Sequence, residues 1–335
     1  MATAFLAGTG FGAATVVSGV VQPQVIIGQF QFQDWHMLST FLTATGSSAI
    51  VVAALDHIGY TRQTPRSPSP IGFFAYDGNF LGGAFLGTGM ALTGSCPGTV
   101  FAQVGASAPL ALYTLTGSLI GGVLFTGIMN PALTKLKQRL LPATPAPGSK
   151  KLTLAEVLGA SPATGALGFA AATIGMAVSL SRIFPASPYA HGVSPILGGL
   201  LIGMSQLFSA LLRKALLGVS GSFEEFGKTV VSVVSGGKRP LPVAYNNSIF
   251  AFGVVMGAMA VARMVPSLGG VVGSADVTPA SALLGGTLMV IGARMAGGCT
   301  SGHGISGMSM LSLSSFVTIG TAFATAGLLW SVVFA

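Results

Sequence analysis

Charge is what this chain has least of: only 7% of its 335 residues are Asp, Glu, Lys or Arg, against about 25% in an ordinary globular protein. That shortage excludes a water-soluble domain, whose surface needs charge of both signs. Cysteine is nearly as scarce. Cys96 and Cys299 are the two thiols of the whole chain, which excludes a disulfide-stapled scaffold. With four histidines they do not readily close a zinc site, and only Cys299 and His303 are near each other in sequence. The seven acidic residues, Asp34, Asp56, Asp77, Glu156, Glu224, Glu225 and Asp276, all lie outside the apolar stretches. Pumps and proton-coupled carriers usually place a carboxylate in the membrane, so their lack favours a facilitated pathway or one driven by a soluble partner. Strand-like alternation is missing too, which argues against a barrel.

What fills the chain instead is apolar: 51% hydrophobic residues and 49 glycines, with a mean hydropathy of +0.78. Nine apolar segments stand out, at about 4–21, 37–55, 80–95, 109–129, 163–180, 195–212, 248–264, 281–297 and 313–334. Runs near this length span a hydrocarbon core as helices, the one open-ended way for a backbone to bond itself in lipid. The expected class is therefore an all-α integral membrane protein of about nine transmembrane helices. The first segment has no basic region before it and no convincing cleavage site after it, so a retained helix is expected. The stretches 56–79, 130–162 and 213–247 read as loops, and LPATPAPGSKK as a flexible linker between two halves.

Basic residues set the orientation. With nine crossings, the loops after segments 2, 4 and 6 share a side and carry 12 of the 15 Lys and Arg, among them Arg62, Arg66, Lys135, Arg213 and Lys228. That places the N-terminus inside a plasma or bacterial inner membrane. A formal net charge of +8 would draw anions, although most of it faces inward and records topology. Membrane lipid is an expected partner; nucleic acid is not.

Two stretches are one motif written twice. GGAFLGTGMALTGSC ends at Cys96 and GGTLMVIGARMAGGC ends at Cys299, so that Gly82/Gly285, Gly83/Gly286, Gly89/Gly292, Gly94/Gly297 and Cys96/Cys299 coincide at an offset of 203. Gly8 and Gly12 in segment 1 match Gly199 and Gly203 in segment 6, each a small-xxx-small contact face. Four segments make each half and segment 5 stands between, so the second half enters from the opposite side. The expected layout is a first half at 1–134, a linker and extra helix at 135–194, and a second half at 195–335. Inverted repeats of this kind place their site near the bilayer midplane on broken, re-entrant segments. Gly94, Gly98 and Gly298 let backbone approach a ligand there, and Pro97 interrupts the helix.

The residues GSCPGT and GARMAGGCTSGHGISG, together with VVQPQVIIGQFQFQDWHML near the N-terminus, resemble the YeeE/YedE sulphur transport family over essentially the whole chain. The resemblance implies nine membrane helices in inverted halves and cysteines that contact thiosulfate in passage, a role that falls here on Cys96 and Cys299. Bacterial members often carry a further cysteine near the end of the first segment, where this chain reads Val21, Gln22, Pro23 and Gln24. Gln22 and Gln24 are therefore expected to make the first contact at the entrance. Thiols suit such a path because they are weak, polarizable donors that release what they hold.

Arg294 lies inside segment 8, where an unpaired charge costs about 2.5 to 3.5 kcal/mol; it either attracts a divalent anion or bonds a carbonyl at a broken helix. His303 is expected to serve as a hydrogen-bonding group at a helix start rather than as a metal ligand. The leading function is a permease for thiosulfate or a related small sulfur anion, with no enzymatic activity, no cofactor, and a cytoplasmic sulfur-accepting protein as a partner. The alternative is a membrane sulfurtransferase holding a cysteine persulfide, which needs an activated thiolate.

Overall fold

The computed structural model describes residues 1–140, 151–274 and 276–333, and these are helical. In chain order the elements are α1 (Ala2–Val17), α2 (Pro23–Phe30), α3 (His36–His57), α4 (Asp77–Thr93), α5 (Thr99–Gly105), α6 (Ala111–Leu124), the π-helical turn π1 (Phe125–Met129) and α7 (Asn130–Leu140). There follow α8 (Leu154–Leu158), α9 (Pro162–Ile183), α10 (Pro195–Arg213), α11 (Gly221–Val234), α12 (Asn246–Met264), α13 (Pro266–Gly269), α14 (Pro279–Ala296), π2 (Thr300–Gly307) and α15 (Leu313–Val333). Each of the nine apolar segments carries one helix, and seven helices are long and apolar enough to cross a membrane. α1 and α4, of 16 and 17 residues, fall short of that length. Among the described residues the β-pairing is a single bridge, Thr153 to Ser312.

Local chemistry starts the helices where the apolar runs begin. Thr278 and Ser281 form a reciprocal cap ahead of Pro279, and the Ser161 hydroxyl accepts from the Thr164 amide ahead of Pro162. Proline at the first helical position removes an amide that would have no partner there. At the other end, α4 stops at Gly94 (φ 58°) and α14 at Gly297 (φ 87°), left-handed conformations that glycine alone adopts without strain. The paired glycines of the repeated motif thus break the helices at matching places.

Three expectations need correction. The stretch 213–247 is not simply a loop: it holds α11, whose apolar residues pack on α6 and α12. Segment 4 does not end near 129 but runs on through π1 into α7 as one 30-residue helical rod. Glu225 and Asp77, outside the apolar segments in sequence, are buried in the fold. The expected flexible linker lies almost wholly outside the described residues.

Lipid offers no hydrophobic gain for pressing helices together, so close backbone approach and hydrogen bonds must do it. Gly82 of α4 meets Gly292 of α14, and Gly89 meets Gly285, with backbone so near that a Cβ on Gly82 would sit 2.6 Å from the Ala296 nitrogen. Gly83 rests on Thr318 of α15 and Gly286 on Thr114 of α6. Gly8 and Gly12 lie against α12, while Gly199 and Gly203 lie against α3. The ninth helix of the set, α9, sits at the rim: only 22% of its most apolar stretch is buried, through Ala166 and Ala170 on Ala49 of α3.

Candidate functional site

Past the left-handed glycines, both breaks turn inward and end in a buried thiol; Cys96 and Cys299 are free. After Cys96, Pro97 and Gly98 lead into the short α5. The Thr99 hydroxyl accepts from the Cys96 amide at 2.7 Å, and its own N–H and O–H both point at the Cys96 sulfur, each at 3.4 Å. After Cys299, the chain enters π2, and Ser301 Oγ lies 3.2 Å from the Cys299 sulfur. The two tips touch: a Cβ placed on Gly98 would lie 3.5 Å from Ser301 Oγ and 3.6 Å from Cys96 Sγ. Thr300, the residue after Cys299, lines the same cavity as Cys96.

A cavity of about 40 Å³ opens beside Cys96, walled by Phe11, Met37, Phe41, Ile202 and Ile305, with Thr40, Thr99 and Thr300 among its lining. That is room for roughly one water, whose share of liquid volume is about 30 Å³. A tetrahedral sulfur anion needs more, so this conformation is closed around the site.

Breaking a helix inside a membrane leaves carbonyls without partners, each costing several kcal/mol in hydrocarbon. The polar side chains near the motifs answer that need. On the Cys96 side, Gln103 Nε2 donates to Gly94 O at 3.0 Å and Val21 O at 3.2 Å. On the Cys299 side, Arg66 Nε donates to Gly302 O at 2.8 Å and Nη1 to Gly297 O at 3.1 Å. His303 lies 3.1 Å from Ala296 O through Nε2 and 2.9 Å from Ser315 Oγ through Nδ1. A carbonyl only accepts, so Nε2 carries the proton and Nδ1 accepts from the Ser315 hydroxyl. Asn79 and Ser69 also donate to Ala296 O.

Of the residues expected at the site, Cys96, Cys299, Gly94, Gly98, Gly298 and His303 come together at the two breaks. Gly298 passes close to the Arg66 guanidinium, with Nη1 3.0 Å from where its Cβ would be. Arg294 is elsewhere in its bonding: it pairs with Glu224 of α11, which Lys228 also holds at 2.7 Å. Gln22 is buried with its amide fully engaged, accepting from Val272 N at 3.0 Å and contacting His191 Nε2 at 2.7 Å and Gly270 O at 2.9 Å. Gln24 donates to Gly273 O at 3.1 Å. Neither lines the cavity beside Cys96. No cluster of three potential metal ligands exists among the described residues.

Arg66 is the residue sequence reasoning passed over, having been counted only toward topology. It lies in the loop between α3 and α4, more than 200 residues from the Cys299 motif it caps. Its Nη2 lies 3.1 Å from the Cβ position of Gly302, which in turn is 3.8 Å from Cys299 Sγ, and among the described residues no carboxylate pairs with it. A position signal was available in retrospect: it is a basic residue within a proline-serine loop that would otherwise gain little from one.

Comparison with known proteins agrees with this picture. A thiosulfate transporter of Spirochaeta thermophila is 24% identical over 298 residues, covering 85% of this chain and 84% of that protein. Two proteins of Xylella fastidiosa described as probable transporters are 31% and 32% identical over 137 residues, 39% of this chain and 91% of each of theirs. The family described as sulphur transport matches residues 18–328. A helical membrane protein with paired glycine-broken motifs, matched over nearly its whole length, this chain belongs to the YeeE/YedE sulphur transport family.

Proposed function

We propose that this chain is a permease for thiosulfate or a related small sulfur-containing anion, passed between Cys96 and Cys299 along a central path. The observation that carries the reading is the meeting of the two motif tips, with Gly98 against Ser301 and with Cys96, Thr300 and Ser301 on the wall of one cavity. A ligand leaving one thiol has the other break as its next neighbour. The S–H group donates weakly to a sulfur terminus, so neither thiol holds it long.

The inverted-repeat layout with nine crossings belongs to the same reading, and the packing supports it. Exchanging α1, α3, α4 and α6 for α10, α12, α14 and α15 turns the α1–α12 contact into α10–α3 and the α4–α15 contact into α14–α6. The α4–α14 and α1–α10 contacts map onto themselves. The same exchange carries the Gly82–Gly292 approach onto Gly285–Gly89.

With the N-terminus inside, the loop bearing Arg66 faces the cytoplasm and Cys299 is the inner thiol. Arg294 is neutralised by Glu224, so attraction of the anion falls to Arg66. Asp77 and Glu225 are spent accepting backbone and side-chain hydrogen bonds. The driving force is therefore assigned to a cytoplasmic sulfur-accepting protein that removes the anion as it arrives. The sulfurtransferase alternative gains nothing from the site: no histidine, carboxylate or lysine is hydrogen-bonded to either thiol among the described residues. Uptake of labelled thiosulfate by the purified chain in liposomes tests the proposal. Cys96→Ala and Cys299→Ala should each cut uptake about tenfold or more, the loss of a buried hydrogen bond to a charged ligand, while leaving the fold intact. Near-normal uptake by both variants would return the thiols to a packing role.

A further inference from the structure

Two hydroxyls beside Cys96 stand out because neither is satisfied by a hydrogen bond of standard geometry. Thr40 of α3 is 1% exposed and Thr300 of π2 is 5% exposed. Neither Oγ1 atom has a hydrogen-bond partner of standard geometry, and both residues line the same small cavity as Cys96. The contrast with their surroundings is sharp. Thr15 and Thr99, which line that cavity too, are bonded, Thr15 to Phe11 O at 2.7 Å and Thr99 to the Cys96 amide at 2.7 Å. Thr43 and Thr45, on the same helix as Thr40, donate back to the carbonyls of Ser39 and Phe41 at 2.9 and 2.8 Å.

A buried hydroxyl without a partner costs free energy that a valine of the same shape would not. The cost is recovered if something else arrives to accept the bonds. The remaining wall, of Phe11, Met37, Phe41, Ile202 and Ile305, is apolar and suits a large, soft atom. The cavity thus has two kinds of surface, one for oxygen and one for sulfur.

We propose that Thr40 and Thr300 form an oxyanion subsite that donates hydrogen bonds to the oxygens of an oxygen-bearing sulfur anion while its terminal sulfur lies toward Cys96. The inference rests on the permease reading and deepens it by naming what selects the ligand. Thiols alone would pass hydrosulfide as readily as thiosulfate; the hydroxyls reward the sulfonate end. Because the two threonines come from α3 and from π2, the ligand ties the first half to the second. Binding is then coupled to the small expansion that the closed cavity requires.

Thr40→Val, Thr300→Val and the serine variants Thr40→Ser and Thr300→Ser separate this subsite from a structural role. In the purified full chain without ligand, both valine variants should melt at or above the wild-type temperature, since an unsatisfied group has been removed. The rise in melting temperature given by thiosulfate should weaken, with half-saturation moving about tenfold higher per hydroxyl. Serine should restore it. In competition assays, hydrosulfide should block uptake by the valine variants as well as it blocks the wild type. A thiosulfate-induced rise that survives both Thr→Val changes overturns the subsite alone, as does a valine variant that melts lower than wild type while binding thiosulfate normally. A wild-type chain whose melting temperature ignores saturating thiosulfate overturns the permease reading and the subsite with it.

Discussion

The two broken helices are built to the same pattern but closed by different chemistry. At the Cys96 break a neutral amide, Gln103, takes the orphan carbonyl of Gly94; at the Cys299 break a guanidinium, Arg66, takes the matching carbonyl of Gly297. Around Cys96 the wall is part apolar and part hydroxyl, and carries no charge. Around Cys299, Arg66 lies next to the glycines, with Arg294, itself paired with Glu224, near enough to act on it electrostatically. Two stretches alike in sequence thus differ in charge, one break capped by a neutral amide and the other by a guanidinium. The glycines they share let the helices pack closely.

The comparison breaks most completely if its common frame is removed. Gly292→Leu forces a large side chain against the backbone of Gly82 and Leu86, where even a Cβ would approach to 2.4 Å. Overpacking of that kind costs on the order of several kcal/mol. The variant should be lost from the membrane fraction or elute as aggregate in size-exclusion chromatography; a monodisperse, thermally normal protein would show that the close α4–α14 contact is dispensable.

Removing the charge that distinguishes the two ends should have the next largest effect. Arg66→Gln makes the Cys299 break resemble the Cys96 break and should raise the half-saturating thiosulfate concentration by about tenfold, the weight of one charge-assisted hydrogen bond. Uptake by the variant should also lose most of its dependence on ionic strength, since screening acts on the charge that is gone. Arg66→Lys should fall between. If Arg66→Gln changes melting temperature but leaves half-saturation and salt dependence alone, the guanidinium is a carbonyl cap and nothing more.

Glu224→Gln sharpens the same contrast from the other direction. It strands Arg294, whose side chain is 19% exposed, beside Arg66 and adds unpaired positive charge near Cys299. The variant should lose about 1 to 2 kcal/mol of stability, less than for a fully buried pair because water still reaches both side chains. Thiosulfate should recover part of that loss in a thermal-shift assay, and should do so more than in wild type. An equal response in both proteins would remove Arg294 from the electrostatics of the path.

The smallest effect concerns α8, which packs on α9 and whose first turn pairs with the segment after π2. The amides of Thr153 and Leu152 donate to the Glu156 carboxylate and hold its pKa below the usual range. The folded value is depressed, so the contribution is present above the unfolded pKa and lost as pH falls through the folded one. Leu154 N donates to Leu311 O, and Ser312 Oγ in turn accepts from the Arg66 amide. Acidification below about pH 4, near the ordinary glutamate value, should therefore lower the protection factors of the Leu152 and Thr153 amides, taken against the intrinsic exchange rate at each pH, without altering those around α5. Unchanged exchange at these two amides would separate the α8 cap from this carboxylate.

Much of the fold was readable from periodicity and composition. Every apolar segment became a helix because lipid leaves the backbone no other partner, and of the glycines paired at an offset of 203, Gly82, Gly89, Gly285 and Gly292 are where α4 and α14 cross. The reading failed for 213–247 because α11 is amphipathic and carries Glu224, Glu225 and Lys228; its apolar face is set by packing on α6 and α12, which no hydropathy window detects. Gln22 and Gln24 were expected to meet the ligand from their place near the first segment's end, whereas their amides are bonded to the loops at 191 and 270–273. Long-range partners of that kind leave no local mark.

By itself, then, the sequence determined the membrane, the helices and the family, since each depends on local composition or on identity at a fixed spacing. Only the tertiary structure decided which polar groups are spent and which are free. Arg66 reaches Gly297 and Gly302 across 231 and 236 residues of chain, and Thr40 and Thr300 face one cavity only because two distant segments wall it. Hydrogen bonds act over about 3 Å whatever the separation along the chain, so a side chain's role is set by what the fold brings to it.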